Sequence, residues 1–422
     1  MQTGYPIRKK MDWKTLLSSE RARNSHRETS YYDGRNAFER DYHRIILSAS
    51  FRRLQDKTQV FPLDQSDFVR TRLTHSLEVS SLAKSLGEQS SALLRSKGYE
   101  NVPTLEEQKE LSDLLLCSGL LHDIGNPPFG HYGETTIRDW YKNNLDKLFF
   151  REKPVSTWLT PQMKGDLLNF EGNAQALRLV TKLHYLIDEN GMNLSYGLLN
   201  TLMKYPVSSL AIDRDSEDVR YHKMGYFYGD RETFREVTEA CGTVRAIEHS
   251  SLLVGNQEDD SGQLRFAADS GQIQVSRNPL TYLMEAADDI SYRTADIEDA
   301  SRKGKITFGQ LSEYLENSSR LKHIRDSKII QKYREVIQDL DYKLDVAREK
   351  GIQNPELYAI QNWVIRVQTE LINSVVESYA DHYEEIMHGE FLYDLFHNNL
   401  AGLLLDVLGD IAYDFVFSRK TC

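Results

Sequence analysis

Histidines and carboxylates of the kind that bind metal ions are concentrated in three short segments of this 422-residue chain. The first segment contains His75, the second the dipeptide His122-Asp123, and the third Asp288. A His-Asp dipeptide is weak evidence alone, because with 12 histidines in the chain about one is expected by chance. Its position is more informative. It directly follows the apolar run 114–121, so both polar side chains are expected at the depth of a buried helix.

Buried polar side chains must be satisfied, and shared coordination of one divalent metal ion would satisfy these. His75 lies on the same helical face as Val79 and Leu82, so it is also expected to point inward. Taken singly, each histidine is better explained as a core residue hydrogen-bonded to a backbone carbonyl. Taken together, the order His75, His122-Asp123 and a later aspartate predicts a metal site.

Helical phase decides between Asp288 and its neighbour Asp289. Glu285, Asp289, Arg293 and Asp296 fall on one polar stripe, where Glu285 and Asp289 are both expected to reach Arg293. Asp288 falls outside this stripe, and we therefore predict it as the inward-pointing ligand. Two imidazoles and two carboxylates suit one Mn²⁺, Mg²⁺ or Fe²⁺ ion per subunit and do not select among these metals.

The elements that must position these residues are mainly helices. Val79, Leu82 and Leu86 have the spacing of one helical face, and 111–121 predicts a densely apolar, buried helix. The β signal is confined to 263–266 and 272–275, which together predict one small hairpin. The fold class is therefore all-α with a minor β excursion. Further helices are predicted at 173–189, 280–300, 308–348, 355–388 and 391–416.

Composition limits the class of protein. With 63 acidic and 52 basic residues the net charge is −11, which argues against a protein that coats nucleic acid through its overall field. The three cysteines lie far apart without a C-x-x-C pair, which excludes a disulfide framework and a zinc knuckle. No apolar stretch approaches the roughly 18 residues of a membrane span, and residues 1–11 lack the apolar centre that a secretory signal would have. We predict a cytoplasmic protein without membrane contact.

Longer strings around the candidate residues resemble the HD-domain phosphohydrolases, and more narrowly the deoxyguanosine triphosphate triphosphohydrolase (dGTPase) family. These strings are RRLQDKTQVFP at 52–62, RLTHSLEV at 72–79, HDIGNPPFGH at 122–131, FEGNAQ at 170–175 and EAADDISY at 285–292. The resemblance runs from about residue 12 to 300, and the Gly-Met-Thr-Asp segment usual near the family's C-terminus is not found. The expected organisation is a flexible N-terminal arm at 1–11, an HD-type catalytic domain at 12–300, and a helical C-terminal region at 301–422 packed on it.

The resemblance implies metal-dependent hydrolysis of a deoxynucleoside triphosphate, with dGTP favoured, to the deoxynucleoside and intact tripolyphosphate. It implies a ring-like homo-hexamer, with single-stranded DNA as a further partner at the subunit boundaries. It assigns His131 to the α-phosphate, with Glu134 as its partner. The metal ligands that it implies are His75, His122, Asp123 and Asp288. The substrate contacts that it implies are Asn173, Lys204, Tyr205 and Lys223 at the triphosphate, and Gln59 and Tyr292 at the sugar.

Composition alone supports purely structural roles for several of these residues. Lys204 and Lys223 would then be ordinary surface lysines, His131 and Glu134 a structural pair, and Tyr292 a core residue. Two rival functions also stay open. One is that of another HD phosphohydrolase, acting on nucleoside monophosphates, cyclic nucleotides or guanosine polyphosphates. The second is that of a regulator that binds nucleic acid and has kept the fold without catalysis.

Overall fold

The computed structural model describes residues 10–23, 33–61, 66–184, 189–247, 257–258, 264–265 and 273–417. Helices dominate this part of the chain, in agreement with the predicted all-α class. They are α1 (Trp13–Leu16), α2 (Ala37–Ile46), α3 (Ala49–Arg52), α4 (Arg72–Ser96), α5 (Leu105–Leu121), α6 (Gly130–Asn144), α7 (Pro161–Leu168), α8 (Gly172–Arg178), α9 (Tyr196–Leu202), α10 (Arg231–Ala240), α11 (Pro279–Arg302), α12 (Phe308–Glu316), α13 (Ser327–Glu349), α14 (Pro355–Asp381), α15 (Tyr383–His388) and α16 (Leu400–Ala412).

The centre of the molecule is formed by α4, α5 and α11, which pack against one another. A capping residue at the N-terminus of each of these helices favours its start. Thr71 and Thr104 form capping boxes at the starts of α4 and α5, and Asn278 caps α11 ahead of Pro279 in its first turn. These three helices carry the predicted metal ligands, so their packing positions the candidate site.

The contact between α4 and α5 depends on small residues. A Cβ atom at Gly119 would lie 2.5 Å from the Cα atom of Ser80, closer than carbon atoms approach one another. The hydroxyl of Ser80 donates a hydrogen bond to the carbonyl of Leu116 at 2.8 Å. The absence of a side chain at Gly119 therefore lets the two backbones meet directly.

The C-terminal helices pack directly on the central ones. α14 contacts α4 and α11, and α16 contacts α11 and α14. Their apolar residues belong to the same hydrophobic cluster as the centre. The proposed division of the chain at residue 300 stays a prediction. Of the predicted N-terminal arm, residues 1–9 lie outside the described residues, whereas Met11 is buried and donates its N–H to the carbonyl of Met387 at 2.9 Å.

Four of the predicted helices differ from those in the structure. The stretch 308–348 is divided into α12 and α13, because Ser318 and Asp326 accept backbone N–H groups with their side chains and so start new turns. The stretch 355–388 is divided at His382 into α14 and α15. The stretch 391–416 becomes helical only at Leu400, where Asn399 caps α16. In the fourth case, 173–189, α8 continues into a π-helical turn, Leu179–Leu183.

The predicted hairpin is wrong in its pairing. The strands are β1 (Phe149–Phe150), β2 (Lys153–Pro154), β3 (Val244–Ile247), β4 (Gln257–Glu258), β5 (Leu264–Arg265) and β6 (Ile273–Val275). The two strands expected to pair, β5 and β6, pair instead with β4 and β3, each in an antiparallel two-stranded ladder. An alternating pattern indicates that a segment is extended, but the partner is chosen by the fold around it.

Within the described residues, no helix combines the length and apolar character needed to cross a membrane.

Candidate metal centre and active-site cavity

The predicted metal ligands converge from the three central helices. His75 lies in the first turn of α4, His122 and Asp123 follow the end of α5, and Asp288 lies in the middle of α11. One ligand atom from each of His75, His122 and Asp123 lies within 4.8 Å of the others, so these residues could hold a metal ion. Asp288 Oδ1 lies 3.2 Å from His75 Nε2 and 3.3 Å from His122 Nε2.

The donor set fits a divalent metal ion. His122 Nδ1 is 2.7 Å from the carbonyl oxygen of Gly119 and is in position to donate to it, whereas the buried Nε2 atom has no hydrogen-bond partner among the described residues. Metal-binding histidines typically donate their second ring N–H in this way, which turns the other nitrogen toward the ion. Two imidazole nitrogens and two carboxylates do not distinguish manganese, magnesium and iron.

The structure separates Asp288 from Asp289. Burial tends to raise the pKa of Asp288, but Lys204 and His122 outweigh it and hold the pKa well below the usual value. The Nζ atom of Lys204 lies 2.9 Å from Asp288 Oδ2. Burial, with repulsion from Asp288 and Glu285, raises the pKa of Asp289 well above its usual value. Asp288 is thus the acid that the fold brings to the imidazoles, as the helical phase predicts.

One part of the phase argument is wrong. Among the described residues neither Glu285 nor Asp289 pairs with Arg293; Glu285 accepts a hydrogen bond from the buried guanidinium of Arg277 at 2.6 Å. Arg277 precedes α11 and also donates to the carbonyl of Lys204. Glu285 therefore pairs with Arg277, just before the start of the helix, and not with Arg293, which lies eight residues further along the helix.

Sequence reasoning missed the residues that hold Asp123. Arg72 forms a buried ion pair with Asp123 Oδ2, and the side-chain amide of Asn126 donates to Asp123 Oδ1. Lys57 donates to the carbonyl of Asn126 at 2.6 Å. Arg72 precedes His75 by three residues and so shares its helical face, which is the signal that could have identified it.

A cavity of about 860 Å³ opens over the metal cluster. It is lined by every predicted substrate-binding residue: Gln59, Asn173, Lys204, Tyr205, Lys223 and Tyr292. His131 lines it too. The predicted metal ligands His122, Asp123 and Asp288 lie in its wall, whereas His75 is fully buried behind them. The structure therefore brings the whole predicted site together around one space.

The lysines of the cavity are held by carboxylates. Composition alone predicts Lys204 at the surface, but the structure buries it. Burial lowers the pKa of Lys204, whereas the negative charges of Asp288 and Glu285 raise it by more. Lys223 Nζ lies 3.1 Å from the buried carboxylate of Glu171, which also accepts from the Asn173 amide at 3.0 Å. Sequence reasoning missed Glu171, although it lies two residues before Asn173 in the same string.

His131 and Glu134 form a pair at the mouth of the cavity. His131 Nδ1 lies 2.9 Å from Glu134 Oε2, and the second carboxylate oxygen accepts the backbone N–H of Gly172 at 2.8 Å. The imidazole is 81% exposed, whereas the carboxylate side chain is 1% exposed. Burial raises the pKa of Glu134, but the bond from His131 outweighs it and the net shift is downward. The buried carboxylate thus anchors an exposed imidazole whose Nε2 atom is left for the cavity.

Comparison with known proteins identifies the family of the chain. The HD-domain family matches residues 72–165. A deoxyguanosinetriphosphate triphosphohydrolase-like protein of Listeria monocytogenes is 38% identical over 97% of this chain and 79% of its own length. One from Pseudomonas aeruginosa is 34% identical over 90% of this chain and 75% of its own length. The deoxyguanosinetriphosphate triphosphohydrolase of Serratia proteamaculans is 35% identical over 72% of this chain and 58% of its own length.

The similarity is not confined to the part of the chain where the motifs were found. Because the Listeria alignment covers 97% of the chain, the expectation that the resemblance fades beyond residue 300 is wrong. By this identity and coverage, the chain belongs to the deoxyguanosinetriphosphate triphosphohydrolase-like family of HD-domain phosphohydrolases.

Proposed function

We propose that this protein is a metal-dependent deoxynucleoside triphosphate triphosphohydrolase that acts on dGTP. The products are the deoxynucleoside and intact tripolyphosphate. One observation carries the proposal: a four-residue cluster fit for a divalent metal has three of its members in the wall of a cavity that Lys204, Lys223 and His131 also line. The names of the relatives, which specify deoxyguanosinetriphosphate, support the choice of substrate.

The side chains around the cavity can perform the required steps. A divalent metal held by the cluster would act as a Lewis acid that neutralises charge on phosphorus-bound oxygens. Lys204 and Lys223 would bind the anionic triphosphate, exchanging part of their contact with Asp288 and Glu171 for phosphate oxygens. His131, oriented by Glu134, would hold or deliver a proton at Nε2 beside the α-phosphate. Tyr292 and Gln59 would contact the sugar.

The rival functions differ in their products. Another HD phosphohydrolase would cleave a monophosphate, a cyclic nucleotide or a guanosine polyphosphate in the same cavity. A regulator without catalysis would have no use for the oriented His131–Glu134 pair, which is present here. The intact pair therefore favours an enzyme.

The deciding experiment identifies the phosphate product. The purified chain is incubated with Mn²⁺ or Mg²⁺ and each of the four deoxynucleoside triphosphates, and the phosphates are separated by ion chromatography, with chelator-treated protein as control. Tripolyphosphate as the first product supports the proposal. Pyrophosphate or orthophosphate as the first product contradicts it, and so does the absence of hydrolysis with metal bound.

The expected assembly and location stay predictions. The homo-hexamer is tested by light scattering at micromolar concentration, where a monomer would contradict it. Because the net charge is −11, binding of single-stranded DNA requires a local basic patch and should weaken steeply as salt rises. Localisation of the tagged protein tests the predicted cytoplasmic location.

A further inference from the structure

A second cavity, of about 870 Å³, lies between α7 and the later turns of α6. Among the described residues it shares no lining side chain with the cavity over the metal cluster. Its walls are largely aromatic, and the rings that form them are Trp140, Tyr141, Phe170, Phe227 and Tyr228. We call this space the α6–α7 cavity. Aromatic surface open to water in this amount is typical of a site that another molecule covers.

The charged side chains in the walls of this cavity are already paired. Asp166 accepts a hydrogen bond from the hydroxyl of Ser209 at 2.6 Å and another from the backbone N–H of Tyr228 at 2.7 Å. Arg178 forms an ion pair at 3.1 Å with the buried carboxylate of Asp230. A phosphate group would need a cation without a partner, so the walls suit an apolar occupant better than an anionic one.

A hairpin beside the cavity carries two exposed aromatic rings. It consists of β1, β2 and the turn between them, and we call it the aromatic hairpin. Phe149 is 67% exposed and Phe150 is 56% exposed. Adjacent residues of a strand point to opposite faces, so each face of the aromatic hairpin presents one ring. Packing flat on a surface would cover one of these rings, whereas entry into a cavity would cover both.

The turn holds the rings next to the α6–α7 cavity. Arg151 and Glu152 both have left-handed backbone conformations, with φ of +46° and +64°, in positions where Asn and Gly are preferred. The ring of Phe150 lies 6.0 Å from that of Trp158, centre to centre, and the next residue, Leu159, lines the cavity. The aromatic hairpin and the cavity are therefore neighbours on one surface of the molecule.

We propose that the aromatic hairpin inserts into the α6–α7 cavity of a second copy of this chain. Because hairpin and cavity are neighbours, a two-fold axis between two copies allows each hairpin to enter the cavity of the other. The inserted rings would pack against the aromatic walls. One of these walls is the helix that carries His131 and Glu134 in its first turns, so the partner copy would contact the element that positions this pair.

The area available is sufficient for a specific dimer. A phenylalanine side chain has roughly 200 Å² of surface, so the exposed parts of Phe149 and Phe150 amount to about 250 Å² in each copy. Two inserted hairpins and the walls that they cover would together bury about 1,000 Å². A specific protein–protein interface begins at about this size, before the residues around the contact are counted.

The test uses one substitution in the hairpin and one in the cavity, Phe150→Glu and Leu159→Lys. Each variant alone should have a lower mass in solution than the wild type at micromolar concentration, measured by light scattering, because each places a charge in both contacts of the dimer. Mixing the two variants in equal amounts should restore the higher mass. In a mixed pair one contact is unchanged, and in the other the new glutamate faces the new lysine.

Two further variants control for effects on folding and on surface charge. Tyr342→Glu changes a ring on α13 that is 60% exposed, and it should keep the wild-type mass. Phe150→Ala adds no charge, and it should raise the dissociation constant of the dimer at least about tenfold because each dimer loses two buried rings. Thermal melting of every variant establishes that it is folded.

Three results would overturn the proposal. The first is a wild type that is monomeric at micromolar concentration. The second is folded Phe150→Glu and Phe150→Ala with the mass and dissociation constant of the wild type. The third is a mixture of Phe150→Glu and Leu159→Lys that stays dissociated, because the hairpin and the cavity would then not meet each other. These measurements follow assembly alone, so they do not depend on which reaction the protein catalyses.

Discussion

Replacing Asp288 or Asp289 by asparagine, one at a time, tests which of these two adjacent acids belongs to the metal site. The two substitutions are equal in size, and they differ in what the replaced carboxyl groups contact and in the direction in which their surroundings shift the pKa. Asp288 faces His75 Nε2, His122 Nε2 and the ammonium of Lys204. No hydrogen bond or ion pair of Asp289 occurs among the described residues.

The expected loss of stability in Asp288→Asn follows from the ion pair between Asp288 and Lys204. The side chains of Lys204 and Asp288 are 11% and 19% exposed and 2.9 Å apart. Removing one partner of a buried ion pair costs about 3–5 kcal/mol. A chain of 422 residues has an unfolding entropy of roughly 0.9 kcal/mol/K. Metal-free Asp288→Asn is therefore expected to melt about 3–6 °C below the metal-free wild type.

Three quantities are measured for each variant: metal content by mass spectrometry, the melting temperature after chelation, and the rate of tripolyphosphate release from dGTP. Asp288→Asn should lose metal, stability and activity together, whereas Asp289→Asn should keep bound metal and most of its activity. The reasoning is refuted if Asp289→Asn is the inactive variant. It is also refuted if chelated Asp288→Asn melts at the wild-type temperature, because Lys204 would then not depend on this carboxylate.

Three further predictions concern the sugar, the proton and the pH dependence of stability. Tyr292→Ala should lower the ratio of kcat/KM for dGTP over GTP by about tenfold, because the ring no longer leaves a 2′-hydroxyl without space or partner; an equal loss for both nucleotides would make Tyr292 a core residue. Glu134→Gln should lower kcat by roughly 10- to 100-fold with little change in KM, since His131 loses a charged acceptor; an unchanged kcat would remove the pair from the reaction. Burial raises the pKa of Glu298, but hydrogen bonds from Arg70 and Gln361 lower it by more, so its stabilising effect is present above its usual pKa of 4.5 and is lost as the pH falls below that value. Glu298→Gln should accordingly lower the melting temperature most at pH 7, with a difference from the wild type that shrinks as the pH falls below 4.5, and a constant difference would contradict this.

The candidate metal cluster was predictable because its residues lie on regular helices or directly after the end of one. The period of α4 turns His75 toward the core together with Val79, and the apolar run of α5 carries His122 to the same depth. The phase of α11 similarly distinguishes Asp288 from Asp289. Each of these inferences needs only the geometry of a single helix, which local sequence determines.

The contacts between distant segments were not predictable in this way. Composition alone predicts that Lys204 is a surface lysine. It is buried because the fold brings it to Asp288, 84 residues away. Glu285 had a suitable partner on its own helix and pairs with Arg277 instead. The pairing of β5 and β6 failed for the same reason, since nearness in sequence did not decide the partner.

The close contact of Gly119 with Ser80 makes a residue without any functional group as intolerant of change as the metal ligands themselves. Gly119 lies three residues before His122, and Ser80 lies five residues after His75, so this contact acts as a spacer between the two imidazoles. An added methyl group would sit 2.5 Å from Ser80 Cα and push the helices apart, whereas coordination bonds tolerate about 0.2 Å. In a mutational scan of this enzyme, position 119 would therefore score as though it took part in the chemistry, although the residue contributes only its small volume.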